Sequence, residues 1–225
     1  MTNDYNTDRS HERERLVAQI EREGIRDPAV LDALRQVPRE AFVPPKLHAA
    51  AYHDSALPIG REQTISQPFI VALMTAKLEL ESTDRVLEIG AGSGYAAAVL
   101  AVIAQEVYTV ERDRELAEMA RQRLQALGFS NVHVLHADGT RGWPEHAPYQ
   151  AISVTAGGPD VPQSLSEQLA IGGRLVMPVG RDLSQQQLIR VRRIAEDDYR
   201  QEKLGDVRFV PLVGVAGWDG QERVK

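Results

Sequence analysis

Near the start of the chain, apolar residues recur at helical spacing. Leu16, Val17 and Ile20 form one stripe over about residues 12–22. A second stripe, Val30, Leu31, Leu34 and Val37, follows Asp27-Pro28, an N-cap and first-turn proline, and Pro38 closes it. Residues 38–65 lose all period and gather proline, glycine and aromatics. A connection that long inside a compact protein is functional or mobile. Ser66-Gln67-Pro68 then opens a helix running to about residue 80. Beyond it the period alternates. Apolar runs at 85–89, 106–110, 132–136 and 151–155 predict strands. The stretches 95–103, 112–127 and 164–170 predict helices, the second closed by Gly128. Gly172-Gly173 makes a turn, and 174–179, 187–194 and 207–213 predict late strands with little helix between them. This order specifies an α/β fold with a mainly parallel sheet and an antiparallel ending. Residues 1–10 are expected as a mobile leader. Residues 1–80 are expected as a helical cap and substrate loop within the same domain as a core at 81–225.

The sharpest local motif is Glu88-Ile89-Gly90-Ala91-Gly92-Ser93-Gly94-Tyr95, lying between the first core strand and a helix. Glycines there permit a tight turn and close approach of a ligand to the backbone. In open α/β sheets, ligands bind beyond the carboxyl ends of the strands. Dinucleotide sites use G-x-G-x-x-G with pyrophosphate at the helix start. The spacing here is G-x-G-x-G, with an acid two positions before the first glycine. A carboxylate from Glu88 would repel pyrophosphate but suits a ligand with an ammonium and a sulfonium, as in S-adenosylmethionine. Glu111 follows the second strand, where nucleotide-binding folds place an acid on ribose hydroxyls. Asp138-Gly139 follows the third. It is either a plain Asp-Gly turn or an acceptor for an adenine amino group with room for the ring.

Composition narrows the chemistry. The 225 residues include no cysteine, which excludes disulfides, thiolate metal sites and a cysteine nucleophile. The formal charge is −6, so no global positive field attracts nucleic acid. The polar start and the lack of an apolar run of about 18 residues point to the cytoplasm. The six histidines show no metal-ligand spacing. His53 beside Asp54 suits a loop role better than a base, and Arg190-Val191-Arg192-Arg193 suits an exposed strand face. Tyr95 and Trp143 are candidates for a cofactor wall or for plain core packing.

Longer segments carry a resemblance. They are VPREAFV (37–43), DSALPIG (54–60), QTISQP (63–68), VLEIGAGSGY (86–95), TVER (109–112), ADG (137–139), GW (142–143), VTA (154–156), QLAIGGRLVMPVG (168–180) and RFVPLV (208–213). Together they resemble the protein-L-isoaspartate O-methyltransferase family over roughly residues 12–213. The TISQP and ALPIG segments are specific to it, whereas the glycine loop alone indicates a class I methyltransferase. The resemblance implies a Rossmann-like fold and S-adenosylmethionine as methyl donor. The implied acceptor is the α-carboxylate of L-isoaspartyl residues in damaged proteins, and the implied product is an ester that closes to a succinimide. It carries over Ser66 and Thr64 as catalytic residues. Gln67, Glu88, Gly90, Gly92, Gly94, Glu111, Asp138 and Gly139 take cofactor-binding roles, and Pro58, Ile59, Ile65, Val210 and Leu212 line the substrate. A monomer is expected, with neither nucleic acid nor membrane as partner. Three positions depart from the family pattern: Glu62 replaces a loop glycine, Gln150 an aspartate before the fourth core strand, and Ala91 a threonine. Ser66 at a helix start also suits a simple N-cap, and one serine can serve both roles. Other readings are a methyltransferase for RNA, a small metabolite or a dedicated peptide partner, a non-catalytic cofactor-binding scaffold, and a nicotinamide dehydrogenase.

Overall fold

The computed structural model describes residues 9–219. Most of the expected leader, residues 1–8, lies outside the described residues. Two helices come first, α1 (Ser10–Arg22) and α2 (Pro28–Gln36). Asp27 caps α2, its side chain accepting from the amides of Ala29 and Val30. The unpatterned stretch after them folds into two 3-10 turns, Arg39–Phe42 and Pro45–Ala50, and a hairpin, β1 (Leu57–Gly60) with β2 (Gln63–Ile65). Helix α3 (Pro68–Leu78) leads into the core: β3 (Arg85–Ile89), α4 (Tyr95–Ile103), β4 (Glu106–Glu111), α5 (Arg114–Ala126), β5 (Val132–His136), β6 (Tyr149–Val154), α6 (Gln163–Glu167), β7 (Leu169–Asp182), β8 (Gln185–Arg193) and β9 (Tyr199–Val207). The sheet order is β5-β4-β3-β6-β7-β8-β9, with the β7–β8 and β8–β9 pairings antiparallel and the others parallel. This is the expected α/β architecture.

Strand alternation sends neighbouring side chains to opposite faces. On one face Val86, Val107, Ala151 and Val176 pack with α1 to α5; on the other Leu87, Val110, Ile152 and Leu175 pack with α6 and Leu212. The N-terminal helices bury Leu16, Ile20, Leu31 and Leu34 in the same cluster as the sheet. The chain runs from β3 outward to β5 and returns to place β6 beside β3. That reversal opens a crevice beyond the carboxyl ends of β3 and β6.

The sequence pattern fails at the end of the sheet. The last strand is Tyr199–Val207, a charged and mostly exposed edge, not 207–213. The apolar run Phe209–Leu212 cannot extend a ladder through Pro211, which has no N–H. It lies instead against the Gly157 region. Gly157 N–H donates to the Val210 carbonyl and Leu212 N–H to the Gly157 carbonyl, each at 2.8 Å. Gln186 holds Phe209 through both backbone groups. Strand β7 also begins earlier than expected, at Leu169, and absorbs Gly172-Gly173.

Candidate active site

The glycine loop fills the crevice at the switch point. Gly90, Gly92 and Gly94 have φ of +97°, +52° and +90°, conformations that side chains disfavour. Gly90 is also sterically fixed, because a Cβ there would lie 2.5 Å from Thr155 Oγ1. Thr155, at the end of β6, locks the loop: its hydroxyl donates to the carbonyls of Ile89 (3.0 Å) and Gly90 (2.7 Å). Gly94 caps α4 and packs against Leu124 and Ala120.

Of the three expected acids, one bonds the loop directly. Glu111, at the end of β4, accepts the N–H of Gly92 at 2.8 Å and of Asp113 at 2.9 Å. It keeps lone pairs free for ribose hydroxyls and lines the cleft described below. The Asp138 carboxylate is largely engaged by the chain: Oδ1 accepts from Thr140 N–H and hydroxyl, and Oδ2 from Val215 N–H, which leaves Oδ2 one acceptor site. Partial burial works against its charge, but the Val215 and Thr140 bonds hold its pKa below the usual carboxylate range. Asp138 thus ties the turn at Val215 to the end of β5, while neighbouring Gly139 lines the cleft. Glu88 is different. It is fully buried, its Oε2 accepts from the Thr109 hydroxyl at 2.5 Å, and its Oε1 has no partner. Burial pushes its pKa up to about 8, against the opposing Thr109 bond. The group is therefore largely protonated at neutral pH. It lies behind the glycine loop and is not exposed on the cleft wall as the sequence suggested.

Two cavities meet at the loop. A cleft of about 1010 Å³ runs past Gly90, Glu111, Gly139, Val210 and Leu212, and a chamber of about 50 Å³ holds Ile65, Ser66, Ser93 and Tyr95. Thr64, Gly90, Gly92 and Thr155 line both. The β1–β2 hairpin arches over the cleft. Its tip residues Arg61 and Glu62 have φ of +52° and +59°, and the Arg61 guanidinium pairs with Asp113 and Glu115 at the start of α5. Glu62, the departure from the family glycine, therefore sits in a backbone conformation that glycine adopts at least cost.

The structure thus brings Thr64, Ile65, Ser66, Gly90, Gly92, Glu111, Gly139, Val210 and Leu212 to the two cavities. Pro58, Ile59, Gln67, Glu88, Gly94 and Asp138 are not on their walls. Ile59 is buried beside Gly92, and Pro58 is exposed on the hairpin. The Gln67 amide donates to Asp54 Oδ2 at 2.7 Å. Trp143 packs edge-on to Tyr108, away from the cavities, while Tyr95 is a wall residue. Sequence reasoning missed Thr155, whose signal was a hydroxyl at the end of the strand beside the glycine loop.

A cleft with an acid at the ribose position, floored by a glycine loop and open to a chamber bearing a serine, fits S-adenosylmethionine. Known proteins agree. A relative from Pelobacter propionicus, a protein-L-isoaspartate O-methyltransferase 2, is 66% identical over 87% of each chain. One from Rhodopseudomonas palustris, a protein-L-isoaspartate O-methyltransferase 1, is 63% identical over 92% of this chain and 85% of its own. A solved protein-L-isoaspartate O-methyltransferase is 32% identical, with a TM-score of 0.83 over 91% of this chain and 67% of that one. A structure from Plasmodium falciparum in complex with S-adenosyl-L-homocysteine, 24% identical with a TM-score of 0.78 over 88% of this chain and 96% of that one, shares the fold. The family profile described as protein-L-isoaspartate(D-aspartate) O-methyltransferase matches residues 11–217, and the chain belongs to that family.

Proposed function

We infer that this chain transfers the methyl group of S-adenosylmethionine to the α-carboxylate of L-isoaspartyl residues in damaged proteins, and that Ser66 and Thr64 receive that carboxylate. Family membership over residues 11–217 carries the reaction. The junction of the two cavities at Thr64 supports the residue roles.

A peptide α-carboxylate has a pKa of roughly 3.5, so it is ionised at neutral pH and is already a nucleophile. The site needs no general base. Among the described residues, His136 on the cleft wall makes its contact with the Arg112 carbonyl at 3.2 Å. When bound, S-adenosylmethionine supplies an electrophilic methyl group on a sulfonium leaving group. The chain's residues strip water from the acceptor and align it, and near-attack geometry can contribute about 7–11 kcal/mol. Charge separation falls as the transition state forms, so a salt bridge to the carboxylate would stabilise the ground state more than the transition state. The hydroxyls of Thr64 and Ser66 are neutral donors, and Ser66 precedes α3, whose N-terminal dipole favours a nearby anion. Glu111 would hold the ribose of the methyl donor, with Gly90, Gly92 and Gly139 giving its body room.

The acceptor in this proposal is a peptide segment laid along Val210–Leu212 on the cleft wall. Its backbone and carboxylate are read in place of a fixed sequence. The formal charge of −6 supports a protein over a nucleic-acid acceptor. No helix among the described residues is long and apolar enough to cross a membrane. We place the enzyme in the cytoplasm, acting as a single chain.

The test is methyl transfer from labelled S-adenosylmethionine to two synthetic peptides that differ only in an isoaspartyl or a normal aspartyl linkage. Base-labile label on the isoaspartyl peptide alone is expected. Donor binding without label on either peptide would move the function to another acceptor. For Ser66→Ala, the Kd for S-adenosylhomocysteine is expected to stay near wild type while kcat/KM for the isoaspartyl peptide falls about tenfold or more, roughly 1.4 kcal/mol. Unchanged turnover would remove Ser66 from the mechanism.

A further inference from the structure

Ser66 stands on a short irregular stretch between β2 and α3, held from two sides. On one side is Arg39, which is completely buried. Its Nε donates to the Ala51 carbonyl at 2.9 Å, and its Nη2 donates to the carbonyls of Ser66 at 2.8 Å and Ser55 at 3.4 Å. The guanidinium lies over the Tyr95 ring, 4.8 Å from its centroid, and Nη1 has no partner. Its contacts are thus carbonyls and an aromatic face, with no carboxylate in contact. On the other side, Asp54 Oδ2 accepts from the Gln67 amide at 2.7 Å and Oδ1 from the Phe69 N–H at 2.8 Å.

Burying a cation without a carboxylate in hydrogen-bond contact is unfavourable, and burial lowers the Arg39 pKa against the opposing effects of Tyr95 and the nearby Asp54 charge. An apolar side chain would fill the same space without that penalty. What a guanidinium adds is a rigid fork that joins carbonyls from three separated points of the chain, at 51, 55 and 66. Accepting from a charged donor also polarises the Ser66–Gln67 peptide unit. Tyr95, beneath the fork, lines the chamber that contains Ser66. The guanidinium therefore couples the serine segment to the residue that follows the glycine loop.

We propose that Arg39 and Asp54 form a clamp that fixes the Ser66–Gln67 peptide unit for methyl transfer: Arg39 grips its carbonyl, and Asp54 grips the Gln67 side chain and the first turn of α3. Both are positioning residues, and the proposal rests on the reading of Ser66 as a group that receives the acceptor carboxylate.

Arg39→Met and Asp54→Ala in the full chain test it, with three readouts: kcat on the isoaspartyl peptide, Kd for S-adenosylhomocysteine, and amide hydrogen exchange. In both variants kcat is expected to fall about tenfold or more, while Kd moves by less than about threefold. Exchange should quicken across residues 63–69 and stay unchanged in β3 to β6. A merely structural role would lower kcat and ligand affinity together and speed exchange throughout the N-terminal helices. That pattern, or wild-type kcat in the folded variants, overturns the clamp. Arg39→Met leaves three carbonyls without their donor, so if it does not fold, Asp54→Ala decides. If the wild-type chain methylates neither peptide, the functional reading fails, and exchange at 63–69 still reports on the clamp by itself.

Discussion

Gly90→Ala is expected to weaken S-adenosylhomocysteine binding by about tenfold or more, at least roughly 1.4 kcal/mol, and to lower Tm by roughly 5–10 °C. Two costs combine. The backbone at φ +97° lies where an L side chain is strained by about 1–3 kcal/mol. The new methyl would also sit 2.5 Å from Thr155 Oγ1, inside any permitted contact. Thr155 cannot simply rotate away, because its hydroxyl holds the Ile89 and Gly90 carbonyls across the switch between β3 and β6. Relief must come from moving the loop, and the loop shapes the cleft. Gly92→Ala is the control for the Tm shift alone, because Gly92 also lines the cleft. Its Cβ would meet only Ile59 Cδ1, at 3.5 Å, and its φ of +52° is nearer the left-handed helical basin. Calorimetric titration and thermal melts of both variants are the check. Equal, small Tm shifts would mean that the loop relaxes around the added carbon and that Thr155 is not its lock.

The second large effect concerns pH. Glu88 has a pKa near 8 in the folded protein, against about 4.3 in an unfolded chain. Below pH ~4.3 it is protonated in both states, and its burial carries no charge penalty. Between these values the unfolded chain releases the proton and the folded chain keeps it, so stability falls as pH rises. Above the folded value the loss is complete. The slope is about 1.4 kcal/mol per pH unit, so the window from ~5 to 8 spans several kcal/mol. Glu88→Gln retains a neutral group of the same shape and removes the titration. Urea unfolding at pH 5, 6.5 and 8 is expected to show wild type and Glu88→Gln close at the lowest pH and the variant increasingly more stable above it. Parallel curves would mean that Glu88 is ionised and solvated in the folded state.

How much of this was legible in advance depended on how local each signal was. Asp27 was readable as a cap because its acceptors lie two and three residues away. The G-x-G-x-G loop was readable because a positive φ is a demand of the backbone itself. The family segments located Ser66, Thr64, Val210 and Leu212, which the structure brings to the two cavities. The edge strand Tyr199–Val207 was missed because an edge buries little, so its charged residues leave no apolar period. The reverse error arose at 207–213, where apolar residues looked like a strand but serve to pack against Gly157 and Gln186.

Residue type therefore determined the fold class, the loop that floors the cleft, the absence of thiol chemistry and the family. Those features rest on periodicity, backbone demands and composition, which the chain carries position by position. Charge state and attachment were decided only by the tertiary structure. Glu88 carries a carboxyl group in any context, but burial beside Thr109 determines that it keeps its proton. Asp138 has the sequence of a ligand acceptor, but the Val215 amide, 77 positions later, takes up part of its capacity. Arg39 stands 27 residues from the serine whose carbonyl it holds. Dielectric environment and long-range hydrogen bonds are properties of what packs around a group, and they come into being when the chain closes on itself.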